Sequence, residues 1–364
     1  MKPAHYFPSI DILRGFAAIS VVVYHVIEVF EWKSYPTDGP LVWFRMGWMG
    51  VDLFFVISGF VIALSAFSEI DKRGATAFQE PFLRRRLARI VPLHYLTCLV
   101  FVALFVTKLL TIGFFLNAIT HILFIHNFFS SFHGGINGAN WSLGVEMQFY
   151  LLMALAAPWI QRINIWKLAG AFVLTAWAWR LICTYFYPVV GDEGSGQLFQ
   201  ISSQLPGTLD EFVAGILLAR LVCSEKGAAL LKTAKVWSWP LAAAAAWVTQ
   251  FVFWRYTYWD LPAMVVFFKS LLALACVLTV FAVCTLNARW WLALTKPLRY
   301  LGVISYGIYL WHLPVIWTVK ELKWLTPQLA LPYVLALTIC LAMVSWHWVE
   351  KPFIRRFANK PVNP

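Results

Sequence analysis

The sequence predicts an all-α integral membrane protein: a bundle of about ten transmembrane helices, residues 1–364 forming one polytopic domain with both termini in the cytoplasm. Three observations carry that reading. The chain is 61% hydrophobic, holds 20 Trp and is only 13% charged, too few charges for a soluble domain of its length. Ten apolar segments can be cut from it, at about 10–30, 46–67, 90–110, 140–160, 167–187, 206–222, 237–253, 262–285, 300–319 and 331–349, each near the roughly 20 residues that cross a hydrocarbon core. With the N-terminus inside, nineteen Lys and Arg fall in inner loops against six in outer ones, the rest lying in spans; that is the positive-inside pattern. The same partition explains the net charge of +12. Aromatic residues sit within the apolar runs and are not interleaved with Lys and Arg, so nucleic acid is excluded as a partner. Membrane lipids are the surroundings that this composition requires.

The first segment is the one around which the chemistry gathers. No small-residue cleavage site follows it, so it reads as an uncleaved span. It carries Arg14 and His25 inside an apolar run, where ionisable groups are costly and are retained for a function or a buried partner. Eleven residues separate them, about three turns with a mismatch of roughly 20°, so they share a face about 16 Å apart. The second segment, WMGVDLFFVISGF, brings Asp52, Ser58 and Gly59; Asp52 suits capping or pairing near the outer end, and Gly59 suits close helix packing.

Ahead of the third segment, FLRRRLARIVP places Arg86 and Arg89 at i, i+3 on one helical face. Paired guanidinium groups bind phosphates bidentately, although arginines at inner helix ends also serve topology alone. The stretch 111–139 reads as a short interfacial or re-entrant helix on the outer side, because a further span there would invert everything after it and destroy the charge partition. His94, His121, His126 and His133 have no metal-ligand spacing and read as packing or interfacial residues.

The fourth segment opens on ANWSLGVEMQFY, with Trp141, Ser142 and Glu146. Ser142 suits a helix N-terminus, and Glu146 lies about 6 Å further in, where the helix dipole favours a carboxylate. Counted up from the inner face, His25 falls within about 8 Å of the outer edge of a 30 Å core, in the layer of Glu146. Each then gives the other a partner. In the ninth segment, VISYGIYLWHLP, Ser305, Tyr309 and His312 fall on one face at i, i+4, i+7 and suggest a wet cavity. Asp192 and Glu193, in GDEGSGQ, read as a solvated turn. VEKPFIRRF closes the last span, with Glu350 and a helix-stopping Pro352. The six cysteines lie in or beside apolar segments without a CxxC pair and read as buried hydrophobes, with no metal site or disulfide expected.

Taken in order, these strings resemble the membrane-bound acyltransferase-3 family, bacterial O-acyltransferases of surface glycans. The carriers are the Arg14–His25 spacing, GVDLFFVISGF, the RxxR of Arg86 and Arg89, WSLGVEMQFY, ISYGIYLWH and the terminal EKP. Family members often carry an arginine before the sixth-span glycine; here LPGTLDEFVAG has Thr208 instead, and no role is transferred to it. Some relatives fuse a secreted esterase-like domain; this chain reads as the stand-alone form.

The resemblance implies acyl transfer, most often acetyl, from cytoplasmic acyl-CoA to a glycan hydroxyl of O-antigen or exopolysaccharide type, in the bacterial inner membrane. It implies no permanently bound cofactor, acyl-CoA being a donor substrate. Arg14, Arg86 and Arg89 would take the CoA phosphates. His25 would lie an extended pantetheine arm above them, with Glu146 charge-stabilising its imidazolium. Asp52, Ser58, Trp141, Ser142, Ser305, Tyr309 and His312 would line the acceptor cavity. Whether His25 acts as a base or is itself acylated stays open, and ping-pong kinetics separate the two. A succinyl donor, a lipid-linked acceptor, or a transporter or flippase are the rival readings; absent repeat symmetry and unpaired helix breaks argue against transport.

Overall fold

In a computed structural model, residues 7–106, 109, 111–189, 191–286 and 288–358 are described. Among them the ordered elements are helices and turns. In chain order they are α1 (Ile10–Val29), α2 (Met49–Arg73), α3 (Gln79–Phe105), α4 (Ile112–Ile122), α5 (Trp141–Arg162), α6 (Ile165–Phe186), α7 (Gly191–Ser202), α8 (Leu205–Cys223), α9 (Glu225–Thr233), α10 (Lys235–Arg255), α11 (Pro262–Cys284), α12 (Arg289–Leu294), α13 (Lys296–Val303), α14 (Ser305–Lys320) and α15 (Pro327–Ser345).

Eight helices among the described residues are long and apolar enough to cross a membrane, and α13 with α14, bent by 68° at their junction, reach that length and apolarity only when taken together. The tenth predicted span is α8. It is 19 residues long but carries Asp210, Glu211 and Arg220, more charge than a lipid-facing helix tolerates. α4, with 11 residues, rises only about 16 Å and does not span.

Three predicted boundaries move. α3 begins at Gln79, not near 90, because the basic FLRRRLAR stretch is itself helical and its arginines favour that state. The chain stays helical past Pro352 to Ala358: wide π turns over Trp346–Glu350 and Ile354–Ala358 accommodate the donor that proline lacks. The turn expected at Asp192 and Glu193 is the first turn of α7, and their side chains lie outside the described ones.

Contacts cluster the chain into two compact units. Of the described residues, the first holds those up to Ile10, Asp52–Phe82 and Val145–Leu292. Its α2 and α8 cross at glycines: a Cβ on Gly59 would fall 2.2 Å from the Phe212 carbonyl oxygen, and one on Gly215 would fall 2.1 Å from that of Val56. Only small residues permit such backbone contact. Beside the crossing, Phe149 stacks on Phe212 with centroids 4.0 Å apart. Arg220 donates to the carbonyls of Ile160 and Ile163 at 3.3 and 2.7 Å, capping the end of α5.

The same unit buries ions. Arg180, fully buried, donates to Asp210 Oδ2 at 2.6 Å and Oδ1 at 3.3 Å, and to the Gly207 carbonyl at 3.0 Å. Lys269 pairs with Asp52 at 2.8 Å and Glu211 at 3.3 Å. Charges inside hydrocarbon are tolerated when paired in this way.

The second unit holds Asp11–Val51, Leu83–Gly144 and the chain from Ala293 onward. α1 is its hub. A Cβ on Gly302 would fall 1.8 Å from the Asp11 carbonyl, and one on Gly47 would fall 2.1 Å from that of Ser20, so α13 and the turn before α2 both meet α1 backbone to backbone. On α14, a Cβ at Gly307 would fall 3.0 Å from that of Ala342, which is how α14 lies close along α15.

Candidate functional site

His25 sits in the penultimate turn of α1 with its ring half-buried. Its Nδ1 lies 2.9 Å from the Val21 carbonyl oxygen and 3.3 Å from Nε2 of His312. The two imidazole centroids are 4.9 Å apart, and the Tyr24 ring meets His25 edge-on at 5.1 Å. His312 is fully buried, and its Nδ1 faces the carbonyl of Tyr309 one turn back on α14.

That turn of α14 is pinned to the loop before α5. Tyr309 shares a hydrogen bond of 2.8 Å with Ser142 and donates to the Ala139 carbonyl at 3.1 Å. Asn137 donates to the Leu310 carbonyl at 2.9 Å. Trp141 stacks on His133 with centroids 5.8 Å apart. Of the residues predicted to line a cavity, Trp141, Ser142, Tyr309 and His312 thus belong to one neighbourhood that reaches His25. Ser305 is also buried, and its hydroxyl has no partner among the described residues.

At the other end of α1, Arg14 lies 3.5 Å from Asp11. Arg86 and Arg89 lie one turn apart on α3, both half-buried. Glu350 is fully buried, neither carboxylate oxygen has a hydrogen-bond partner among the described residues, and positive charges of Arg89 and Arg14 act on it. Three of these four residues therefore form one electrostatic group within the second unit, a cationic patch with one internal carboxylate.

Residues residing in the first unit make different partnerships. Ser58 donates to Glu146 Oε1 at 2.6 Å, and Tyr150 donates to the same oxygen at 2.7 Å, so two hydroxyls fix the orientation of the carboxylate. Asp52 is buried in its ion pair with Lys269, the pairing role its position suggested and not an open cavity wall.

His94, His121 and His126 each place one ring nitrogen against a backbone carbonyl, at 3.1, 3.0 and 2.9 Å. The rings of His121 and His126 stack 4.0 Å apart at 10°, which leaves their lone pairs parallel and not convergent. No group of His, Cys, Asp and Glu among the described residues is arranged to hold a metal.

Residues 7–347 match the sequence profile of the acyltransferase domain that defines the acyltransferase-3 family. The chain belongs to that family. Among curated relatives, it is 26% identical over 374 residues to the peptidoglycan O-acetyltransferase OatA of Listeria monocytogenes, covering 95% of this chain and 56% of that protein. It is 26% identical over 383 residues to the O-acetyltransferase OatA of Staphylococcus aureus, covering 98% and 58%. The chain thus spans little more than half the length of these relatives. No solved structure matches it.

Two features of this acyltransferase-3 chain escape sequence reasoning. Lys269 and Arg180 are visible as charges inside apolar runs, but the carboxylate partners of Lys269 sit 58 and 217 residues away and that of Arg180 sits 30 away, with no periodicity to join them. The contact of His312 with His25 bridges 287 residues. Its one available signal was that both histidines fall in apolar segments, where each needs a polar neighbour.

Proposed function

We propose that this protein is a multi-pass O-acyltransferase of the bacterial inner membrane, transferring an acyl group, most simply acetyl, from cytoplasmic acyl-CoA to a hydroxyl of a surface or exported glycan. Both termini and the 74–78 loop face the cytoplasm in this proposal, as the Lys and Arg partition indicates. Family membership supports the acyl-transfer chemistry. The Listeria relative is named for peptidoglycan; O-antigen and exopolysaccharide offer the same hydroxyl chemistry, and the acceptor is proposed at the level of surface glycan.

The observation that carries the reading is the make-up of α1. One helix bears Arg14 in a cationic group with Arg89 and, about 16 Å higher on the same face, an imidazole held by a second imidazole. Guanidinium groups at the lower end suit the diphosphate of CoA. In the reaction the acceptor oxygen attacks the thioester carbonyl, His25 takes the hydroxyl proton, the carbon–sulfur bond breaks, and the departing CoA thiolate receives that proton, which returns the imidazole to its neutral form. Glu146 is the second residue assigned to catalysis, its carboxylate fixed by Ser58 and Tyr150.

The experiment is mass spectrometry of surface polysaccharide from cells carrying the wild-type protein, His25→Ala, Glu146→Gln or no copy. Acyl esters present with the wild type and absent with the other three support the reading. Esters unchanged in cells without the protein contradict it, as would an unmodified glycan in all four.

A further inference from the structure

We infer that His312 is a positioning residue for His25: together with the Val21 carbonyl it holds the proton of that ring on Nδ1, so that Nε2 of His25 is the nitrogen presented to the acceptor hydroxyl. The inference rests on the reading of His25 as the base and goes beyond it by naming the basic atom and what fixes it.

Donors and acceptors fix both tautomers. A backbone carbonyl only accepts, so a ring nitrogen directed at one carries the proton. Nδ1 of His312 is directed at the Tyr309 carbonyl; it is therefore N–H, and Nε2 of the neutral ring is a lone pair. Nδ1 of His25 is 2.9 Å from the Val21 carbonyl and is likewise N–H. Its proton is then shared between that carbonyl and the His312 Nε2 lone pair, 3.3 Å away. The two assignments are made independently and agree, because they place one donor and one acceptor across the gap between the rings. A neutral imidazole with its proton on Nδ1 is basic at Nε2, and Nε2 of His25 has no hydrogen-bond partner among the described residues.

The same contact serves the charged state. When Nε2 takes the acceptor proton, the ring becomes an imidazolium with Nδ1–H still facing two acceptors. In a Ser-His-Asp site a carboxylate does this work; here a neutral imidazole does it, in a setting where a further buried charge would be costly. The groups facing the pair are Tyr24 against His25 and Tyr309 against His312, neither ionised at neutral pH. His312 is itself immobilised, since Tyr309 is tied to Ser142 and Ala139 and Leu310 to Asn137.

The test uses the full chain in proteoliposomes, with acetyl-CoA and purified surface polysaccharide as substrates. Kinetic constants and pH profiles are measured for wild type, His312→Gln, His312→Phe and His25→Ala. A glutamine oxygen accepts where Nε2 accepts, so His312→Gln stays within about threefold of wild type. His312→Phe loses the acceptor but not the Val21 carbonyl, and its kcat falls about 10- to 100-fold, below the full worth of a base. Its KM for acetyl-CoA is unchanged, and the rising limb of its kcat/KM profile moves to lower pH because the imidazolium is less stabilised. If the phenylalanine variant does not insert, His312→Asn, whose shorter amide falls short of His25, replaces it. Equal losses in the glutamine and phenylalanine variants, a phenylalanine variant at wild-type rate, or an unmoved pH limb overturns the inference while leaving His25 as base. Normal turnover in His25→Ala overturns both.

Discussion

Replacing Asp210 by alanine should unfold the first unit at a markedly lower temperature. Arg180 is fully buried and Asp210 nearly so. Their contact is bidentate, at 2.6 and 3.3 Å, and Ser270 donates to the same carboxylate. Removing the acid leaves a guanidinium in a low-dielectric interior, hydrogen-bonded among the described residues to the Gly207 carbonyl at 3.0 Å and Ser270 Oγ at 3.4 Å. Breaking a buried pair from one side costs about 3–5 kcal/mol. At roughly 2–4 °C per kcal/mol for a larger domain, the melting temperature falls by about 6–20 °C. Replacing both partners by apolar residues of similar volume, Arg180→Met with Asp210→Leu, recovers most of that loss, since no uncompensated charge remains. The assay is thermal unfolding of detergent-purified protein followed by tryptophan fluorescence. A single variant melting within about 2 °C of wild type, or a double variant less stable than Asp210→Ala, refutes the reasoning.

Three further outcomes follow from the geometry. Arg89→Ala raises the KM for acetyl-CoA with a smaller effect on the acceptor, measured by initial rates; equal effects on both substrates would assign Arg89 to topology or folding. Gly59→Val forces a side chain into the Phe212 backbone and abolishes recoverable folded protein, read by fluorescence size-exclusion; a normal profile refutes the α2–α8 crossing. In the loop after α4, burial and the neighbouring His126 push the His133 imidazole down to about 4 from its ordinary 6.5. The unfolded chain therefore binds the extra proton between those values, and the ring contributes stability that is complete above about pH 6.5 and lost as pH falls towards 4. The limit is about 3 kcal/mol for a shift of that size. Melting temperature against pH should slope less over that window in His133→Gln, and an identical slope refutes the assignment.

The spans were legible because hydrocarbon demands long apolar runs whatever the tertiary contacts. Even α8 was found from its apolar residues, although Asp210 and Glu211 lie within it. The start of α3 was not, because a run of arginines carries no apolar period and only the helix beyond it declared itself. At the site, Arg14 and His25 were legible as a pair since helical geometry alone places them on one face. Tyr309 and His312 were legible as a polar face, but what that face meets depends on how distant helices pack. The partner of His25 that the structure shows is accordingly His312. The partners of Glu146 that it shows, Ser58 and Tyr150, lie 88 and 4 residues away; only the nearer was within reach of helical spacing. Glu350 passed as the end of a span because nothing in its local sequence shows that it is buried beside arginines.

In the proposed reaction His25 moves an acceptor proton during acyl transfer from acyl-CoA to a glycan. That role is tested most directly with protein reconstituted in proteoliposomes, supplied with acetyl-CoA labelled in the acetyl group and with surface polysaccharide, by counting label in alkali-labile ester on the glycan. Ester forms with the wild type and, in His25→Ala, at a rate below about 1% of that, with acetyl-CoA binding retained. Labelling by His25→Ala at the wild-type rate, or no transfer of label by the wild type, would contradict it.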